Sequence, residues 1–247
     1  MRVLLVSDIH SNLVALDAVL RDAGEFEQVW CLGDIVGYGP QPNECIERLR
    51  ACDPVTLVGN HDLGVVGKLP LWDFSPDAQA AVFFTRHALS IENREWLESL
   101  SPLTVLTEHN ITLVHGSLRD PASEYLSTPG IARYNFNLME TPVCLNGHTH
   151  VPFVFRDAFS ISKPEIFAER LKHNLPIALD TPDRLFVNPG SVGQPRDEDA
   201  RAAYALLDLS STTLTPRRVK YDVAATQELM RDAKLPDRLI RRLRFGD

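Results

Sequence analysis

Five short blocks within the first 150 residues carry groups able to hold metal ions: Asp8-Ile9-His10, Gly33-Asp34, Gly59-Asn60-His61-Asp62, His115, and Gly147-His148-Thr149-His150. Imidazole and carboxylate are borderline-to-hard ligands, and an Asn carbonyl adds another oxygen. That mixture suits manganese, iron, zinc, cobalt or nickel better than copper(I), while calcium would require more oxygen. A carboxylate has two oxygens and can bridge two cations, a job that falls to Asp34, the acidic residue between the other blocks. The remaining histidines, His87, His109 and His173, fall on a predicted helix, in a turn and in an irregular segment, and are read as surface groups.

The elements that must position these groups are legible from hydropathy. Residues 2–6, 28–32, 54–58, 111–115 and 143–146 are short apolar runs that read as buried strands, and each block lies at or just after the carboxyl end of one. Ligands in open α/β sheets collect at those ends, so the blocks can converge on one crevice despite their separation in the chain. Between the strands, residues 12–23 and 41–51 carry helical spacing, with Ser11 as a candidate cap, as do 76–90 and 92–100. Strands alternating with helices define an α/β class.

Later in the chain, residues 103–107 and 111–115 flank the tripeptide Glu108-His109-Asn110, a hairpin signal. Residues 185–187, 202–209 and 213–221 read as strands and 223–234 as a helix. The pattern breaks between them: an inserted flap is expected at about residues 158–183, with a helix over 164–173. The tail interleaves Arg238, Arg241, Arg242 and Arg244 with Leu239, Ile240, Leu243 and Phe245, an amphipathic helix expected to dock on the body of the protein. No repeat or long linker divides the chain, so one domain over residues 1–247 is the simplest partition.

Composition narrows the function. The 247 residues are 44% hydrophobic and 23% charged, with a net charge of −8, which argues against a broad basic surface for duplex nucleic acid. A small phosphate substrate remains compatible, because bound divalent cations dominate the field of a cleft whatever the global charge. No apolar run approaches the roughly 18 residues of a membrane span, and residues 1–6 lead directly into the first block without a signal-peptide pattern, so a cytoplasmic protein is expected. Cys31, Cys45, Cys52 and Cys144 show no CxxC spacing and read as reduced packing residues.

In order and spacing, the five blocks resemble the Asp-x-His, Gly-Asp, Gly-Asn-His-Asp/Glu, His, Gly-His-x-His pattern of the calcineurin-like metallophosphoesterase superfamily. Asn188-Pro189-Gly190-Ser191 further resembles its compact bacterial and archaeal phosphodiesterase branch. The resemblance implies a four-layer αββα sandwich, with two mixed β-sheets flanked by helices. It also implies two divalent ions per chain, manganese foremost, with iron, zinc, nickel or cobalt as alternatives. Asp8, His10 and His150 would hold one ion; Asn60, His115 and His148 would hold the other; Asp34 would bridge them. A metal-bridging hydroxide would attack phosphorus in line, His61 would protonate the departing oxygen, and Asp62 would orient His61.

Phosphodiester hydrolysis is the leading expectation for activity. Phosphomonoesterase and dinucleoside-polyphosphate hydrolase are the enzymatic alternatives, and a noncatalytic scaffold is the alternative of another class. The intact block set weighs against a scaffold, and Ile35-Val36-Gly37-Tyr38-Gly39 after Gly33-Asp34 lacks the Asp-Arg-Gly continuation of protein phosphatases. Arg119 and Arg196 follow blocks and are candidate phosphate contacts through their forked donors. Asn12 is a further substrate candidate, although an Asn at that place more often caps a helix. Trp72 and Phe74 could stack on a nucleobase or aryl group, with core packing as the alternative. Asn188-Pro189-Gly190-Ser191 is read first as a turn.

Overall fold

The computed structural model describes residues 1–158 and 165–247. Among the described residues the elements are, in order, β1 (Arg2–Val6), α1 (Leu13–Ala23), β2 (Gln28–Cys31), α2 (Pro42–Arg50), β3 (Val55–Thr56), α3 (Asn60–Val66), α4 (Pro76–Ala88), α5 (Ile91–Ser99), β4 (Leu103–Leu106), β5 (Ile111–Val114), α6 (Pro129–Phe136), β6 (Val143–Asn146), β7 (Phe153–Ala158), β8 (Glu165–Arg170), β9 (Ile177–Ala178), β10 (Arg184–Asn188), β11 (Ala202–Asp208), β12 (Thr213–Val219), α7 (Val223–Asp232) and α8 (Asp237–Arg242). They build two six-stranded sheets, ordered β3-β2-β1-β11-β12-β9 and β4-β5-β6-β10-β7-β8. Both are mixed. The first pairs β3, β2 and β1 in parallel and the rest antiparallel; the second does the same around β5, β6 and β10.

Strand periodicity explains the layering. Side chains alternate across a strand, so in β1 Val3 and Leu5 face the second sheet while Leu4 and Val6 face the helices. The inter-sheet core joins Val3, Leu5, Trp30 and Leu32 to Leu113, Leu145, Leu185 and Val187. Each such fully buried large side chain contributes about 1.5–3 kcal/mol. On the outer face of the first sheet, Leu16, Val19, Ile46 and Leu49 of α1 and α2 cover Leu4, Val6, Val29 and Cys31. On the outer face of the second, Ala132 and Phe136 of α6 cover Val114, Cys144 and Phe186. These are the four layers of the αββα sandwich. The arginine-rich tail docks on the body: Leu239, Ile240 and Leu243 pack with Met230 against Tyr38, Ala78 and Ala81, whereas Phe245 stays exposed.

The helix expected over 164–173 is a strand. Residues 165–170 form β8, paired antiparallel with β7 from Ala158↔Glu165 to Phe153↔Arg170; residue 164 lies outside the described residues. Glu-Ile-Phe-Ala-Glu-Arg has ample helix propensity, but the open edge of β7 offers a complete ladder of partners, and tertiary context overrides propensity. β9 likewise pairs with β12. The described part of the expected flap thus extends one edge of each sheet. Asn12, not Ser11, caps α1, accepting a hydrogen bond from Ala15 N. Among the described residues, no helix is long and apolar enough to cross a membrane.

Candidate metal centre

The first two ligand-bearing loops are zipped together by main-chain hydrogen bonds. Asp8 N donates to Gly33 O at 3.0 Å, His10 N to Asp34 O at 3.0 Å and Ser11 N to Ile35 O at 2.9 Å. His148 N donates to Asp8 Oδ2 at 3.2 Å, and Gly147 N to His115 O at 2.9 Å, drawing the later blocks onto the first. Asp8, His10, Asp34, His148 and His150 all have φ between 48° and 67°. Non-glycine residues visit this left-handed region rarely and at a cost, and concentrate there at functional sites. Gly59 cannot be replaced cheaply: a Cβ there would lie 2.0 Å from Asp34 Oδ1.

Two buried groups of ligand atoms result, each within a span of 4.8 Å: Asp8, His10, Asp34 and His150 in one, and Asp34, His115 and His148 in the other. Asp34 belongs to both through a single oxygen. Its Oδ2 lies 3.6 Å from His10 Nε2 and 3.5 Å from His115 Nε2, whereas Oδ1 accepts a hydrogen bond from His61 N at 2.9 Å. Oδ2 is thus the Asp34 oxygen that faces both groups.

The residues present fit divalent cations. Asp8 Oδ1, Asp34 Oδ2, Asn60 Oδ1 and His115 Nε2 are buried with no hydrogen-bond partner, which is costly unless something binds them. The histidine tautomers point the same way. Nδ1 of His10, His115 and His150 faces the carbonyls of Val36, Leu32 and Gln194 at 3.1, 2.8 and 2.5 Å, so each Nδ1–H is committed and each Nε2 is turned inward. His148 is reversed: Nε2 faces Ser123 O at 3.0 Å, leaving Nδ1 as its ligand atom. His10 Nε2 and His150 Nε2 stand 3.1 Å apart. Both imidazoles are held neutral, chiefly by burial, so two lone pairs face each other, an arrangement that a shared cation relieves.

Charge reinforces this picture. Burial pushes the Asp8 and Asp34 carboxyls up, but the neighbouring histidines more than offset it: His150 for Asp8, His115 and His61 for Asp34. Both carboxyls end below the ordinary range. Burial would lower His115, yet the Asp34 charge lifts it to about 9. Burial and then the charge of His115 push His148 down to about 3.

His61 stands beside this cluster, its ring 4.9 Å from that of His10 and 4.3 Å from that of Tyr38. Burial lowers it to about 4, with Asp34 opposing and Arg196 adding to the effect, so the free ring is neutral. Asp62 does not orient it. Its Oδ1 accepts from Val36 N at 2.9 Å and its Oδ2 from Ile35 N and Gly59 N at 3.2 and 3.0 Å. Asp62 instead clamps the second ligand loop to the start of α3, and burial followed by the Asp34 charge raises it to about 7.

His61 and His148 open onto a cavity of about 610 Å³ whose lining includes Asn60, Tyr38, Trp72, Phe74, Tyr125, Arg196 and Arg242. Trp72 is 79% exposed, so core packing does not describe it; Phe74 packs edge-on against His61 at 4.9 Å. Arg196 Nη2 donates to Gln194 Oε1 at 3.0 Å and Tyr38 Oη at 3.3 Å. Arg119 is not in this lining; it pairs with Glu124 and lies over the Tyr134 ring. Asn12 is committed to structure, bonding Ala15 N, Gly193 O and Thr226 Oγ1. The 188–191 turn braces the ligand loops: Asn188 Nδ2 donates to Gly147 O, and Ser191 Oγ to Asp8 O. Sequence reasoning missed Tyr38 and Tyr125, the latter stacked on His148 at 3.9 Å. Tyr38 had a signal in its flanking glycines, which let the loop bring the ring inward; Tyr125 had none. His87 and His173 are exposed, and His109 rests on Trp30.

A crevice of carboxylates and imidazoles at the parallel strand ends of an αββα sandwich defines a metallohydrolase class. Residues 1–212 match the calcineurin-like phosphoesterase superfamily domain, and the chain belongs to that superfamily. It is 42% identical to a metallophosphoesterase from Sphaerobacter thermophilus, whose structure superposes with a TM-score of 0.90 over 100% of this chain and 99% of that one. It is 37% identical to a protein of Methanocaldococcus jannaschii described as uncharacterized, over 98% of this chain and 97% of that one. A more local likeness, 31% over 109 residues, joins 43% of this chain to 39% of a symmetrical bis(5'-nucleosyl)-tetraphosphatase from Aliivibrio salmonicida. Family and site together support a metal-dependent phosphoester hydrolase.

Proposed function

We propose that the protein is a dinuclear phosphodiesterase in which Asp8, His10 and His150 hold one divalent ion, Asn60, His115 and His148 hold the second, and Asp34 bridges them. The observation that carries this reading is Asp34 Oδ2, buried, unpartnered, and facing a ligand nitrogen of each group at 3.6 and 3.5 Å. Bound there, two divalent cations make water a nucleophile near neutral pH and offset charge on the phosphoryl oxygens. The Asp, Asn and His donors suit manganese, and equally iron, zinc, nickel or cobalt.

The chain's own groups then bind and orient. The carbonyls of Val36, Leu32 and Gln194 fix the imidazoles of His10, His115 and His150, and the Asp62 clamp holds the loops that carry Asp34 and Asn60. His61 is assigned to the leaving oxygen, where an anionic phosphoryl group beside the ring favours its protonated form. Arg196 is the substrate contact at the cavity wall. A second reading, hydrolysis of dinucleoside polyphosphates, draws on Trp72 at the cavity mouth and on the local likeness to the tetraphosphatase. A cytoplasmic setting belongs to the same reading.

The test is metal content together with activity on phosphomonoesters, phosphodiesters, cyclic nucleotides and dinucleoside polyphosphates, with manganese, nickel, zinc or magnesium. Close to two ions per chain and diester hydrolysis are expected. One ion after full reconstitution would sink the dinuclear centre, and silence across the panel would leave the noncatalytic scaffold.

A further inference from the structure

The C-terminal helix brings a second guanidinium to the cavity. α8 is seated by Leu239, Ile240 and Leu243 on a patch that includes Tyr38 and Ala78, and this docking makes Arg242 part of the same lining as Arg196 and His61. Arg196 is held from the other side. Its N donates to His150 O at 3.3 Å, and its guanidinium lies over the Tyr38 ring at 5.8 Å, one ring removed from His10, whose centroid is 4.6 Å from that of Tyr38.

Neither arginine forms an ion pair with a carboxylate side chain among the described residues. Arg196 bonds the neutral Tyr38 and Gln194 and keeps a buried Nε without a partner. Arg242 Nε donates to the main-chain oxygen of Asp247, whose negative charge partly offsets the repulsion from Arg196. Asp73 and Asp120 also line the cavity, but Asp120 Oδ1 is engaged by Ala122 N and Ser123 N, and neither Asp pairs with these arginines. Burial, and then the charge of Arg196, disfavours the charged form of Arg242. Two cations brought together in this way, at the expense of mutual repulsion, are matched to an anion. The terminal N–H groups of Arg242 and the Nη1 of Arg196, with two positive charges, suit a phosphate, whose oxygens can accept from both side chains at once.

We propose that Arg196 and Arg242 form a distal phosphate subsite, which holds a phosphate group of the substrate other than the one that reacts. The inference rests on the phosphoesterase reading and names its substrate class: esters with two or more phosphates, of the nucleoside polyphosphate kind. Binding and chemistry separate the two claims. Calorimetry with inorganic pyrophosphate on the metal-free protein should show binding that Arg196→Gln and Arg242→Gln each weaken roughly 10- to 100-fold. Arg242→Lys, which keeps the charge but not the fork, should recover part of it at an unchanged melting temperature.

In the manganese-loaded enzyme, Arg242→Gln should lower kcat/KM at least tenfold more for a dinucleoside triphosphate than for bis(p-nitrophenyl) phosphate, with the difference in KM. Absent pyrophosphate binding, or binding equal in wild type and variants, overturns the subsite. Equal losses on both esters also overturn it, since the pair would then serve the reacting phosphoryl group. If the wild type turns over neither ester, the enzymatic reading fails, while the pyrophosphate titration still decides the subsite.

Discussion

The two walls of the cavity are built on different principles. The ligand wall is buried, polar and over-determined: its imidazoles are fixed by carbonyls, its loops are cross-bonded, and five of its residues sit at positive φ. The rest of the lining draws Tyr38, Trp72, Tyr125, Arg196 and Arg242 from separate stretches of the chain with few mutual hydrogen bonds, and ranges from the buried Tyr38 to the exposed Trp72. The difference teaches where rigidity is needed. Metal geometry tolerates little displacement, so strand ends and clamps hold it, whereas substrate choice can rest on adaptable side chains carried by loops and a docked helix.

Substitutions can break this contrast, beginning with the largest effect. Asp34→Asn should abolish turnover and lower occupancy of both metal positions, read by elemental analysis; two ions retained per chain would remove the single-oxygen bridge. His61→Asn should keep the metals yet cost on the order of 100- to 10,000-fold in kcat on esters with poor leaving groups. Full activity there would reassign the proton donor.

Asp62→Asn sharpens the comparison within the ligand wall. Losing one carboxylate oxygen as acceptor for three buried N–H groups should cost about 1–3 kcal/mol of stability, seen as a lower melting temperature alongside any loss of activity. An unchanged melting temperature would remove the clamp. On the opposite wall, Trp72→Ala should leave metal content and melting temperature unchanged. It should raise KM for nucleotide substrates by an amount worth about 1–3 kcal/mol of stacking. Equal KM values for wild type and variant would make this exposed ring irrelevant to the substrate.

The same contrast governs what could be read from residues alone. Asp8-Ile9-His10, Gly33-Asp34 and Gly147-His148-Thr149-His150 were legible as candidate ligand blocks because each follows its strand directly in the chain, the last two with a glycine alongside. β1, β2, β5 and β6 followed from short-range hydropathy for the same reason. β8 was misread because its state depends on the free edge of β7, and α3 and α6 escaped notice as short helices around the third block and after the fourth. The orienting role of Asp62 came from the family resemblance, whereas its hydrogen-bond partners are the backbone N–H groups of Ile35, Val36 and Gly59.

By itself the sequence determined the α/β class and the order of candidate carboxylate and imidazole groups at strand ends, since each is encoded within a few residues of local pattern; the αββα sandwich was what the family resemblance implied. Tertiary structure alone decided that Asp34 Oδ2 faces both groups, that the Asp62 carboxylate bonds three backbone N–H groups, and that Arg242 lines the same cavity as Arg196. These depend on which atom of a side chain faces which neighbour after packing, and no spacing along the chain carries that information.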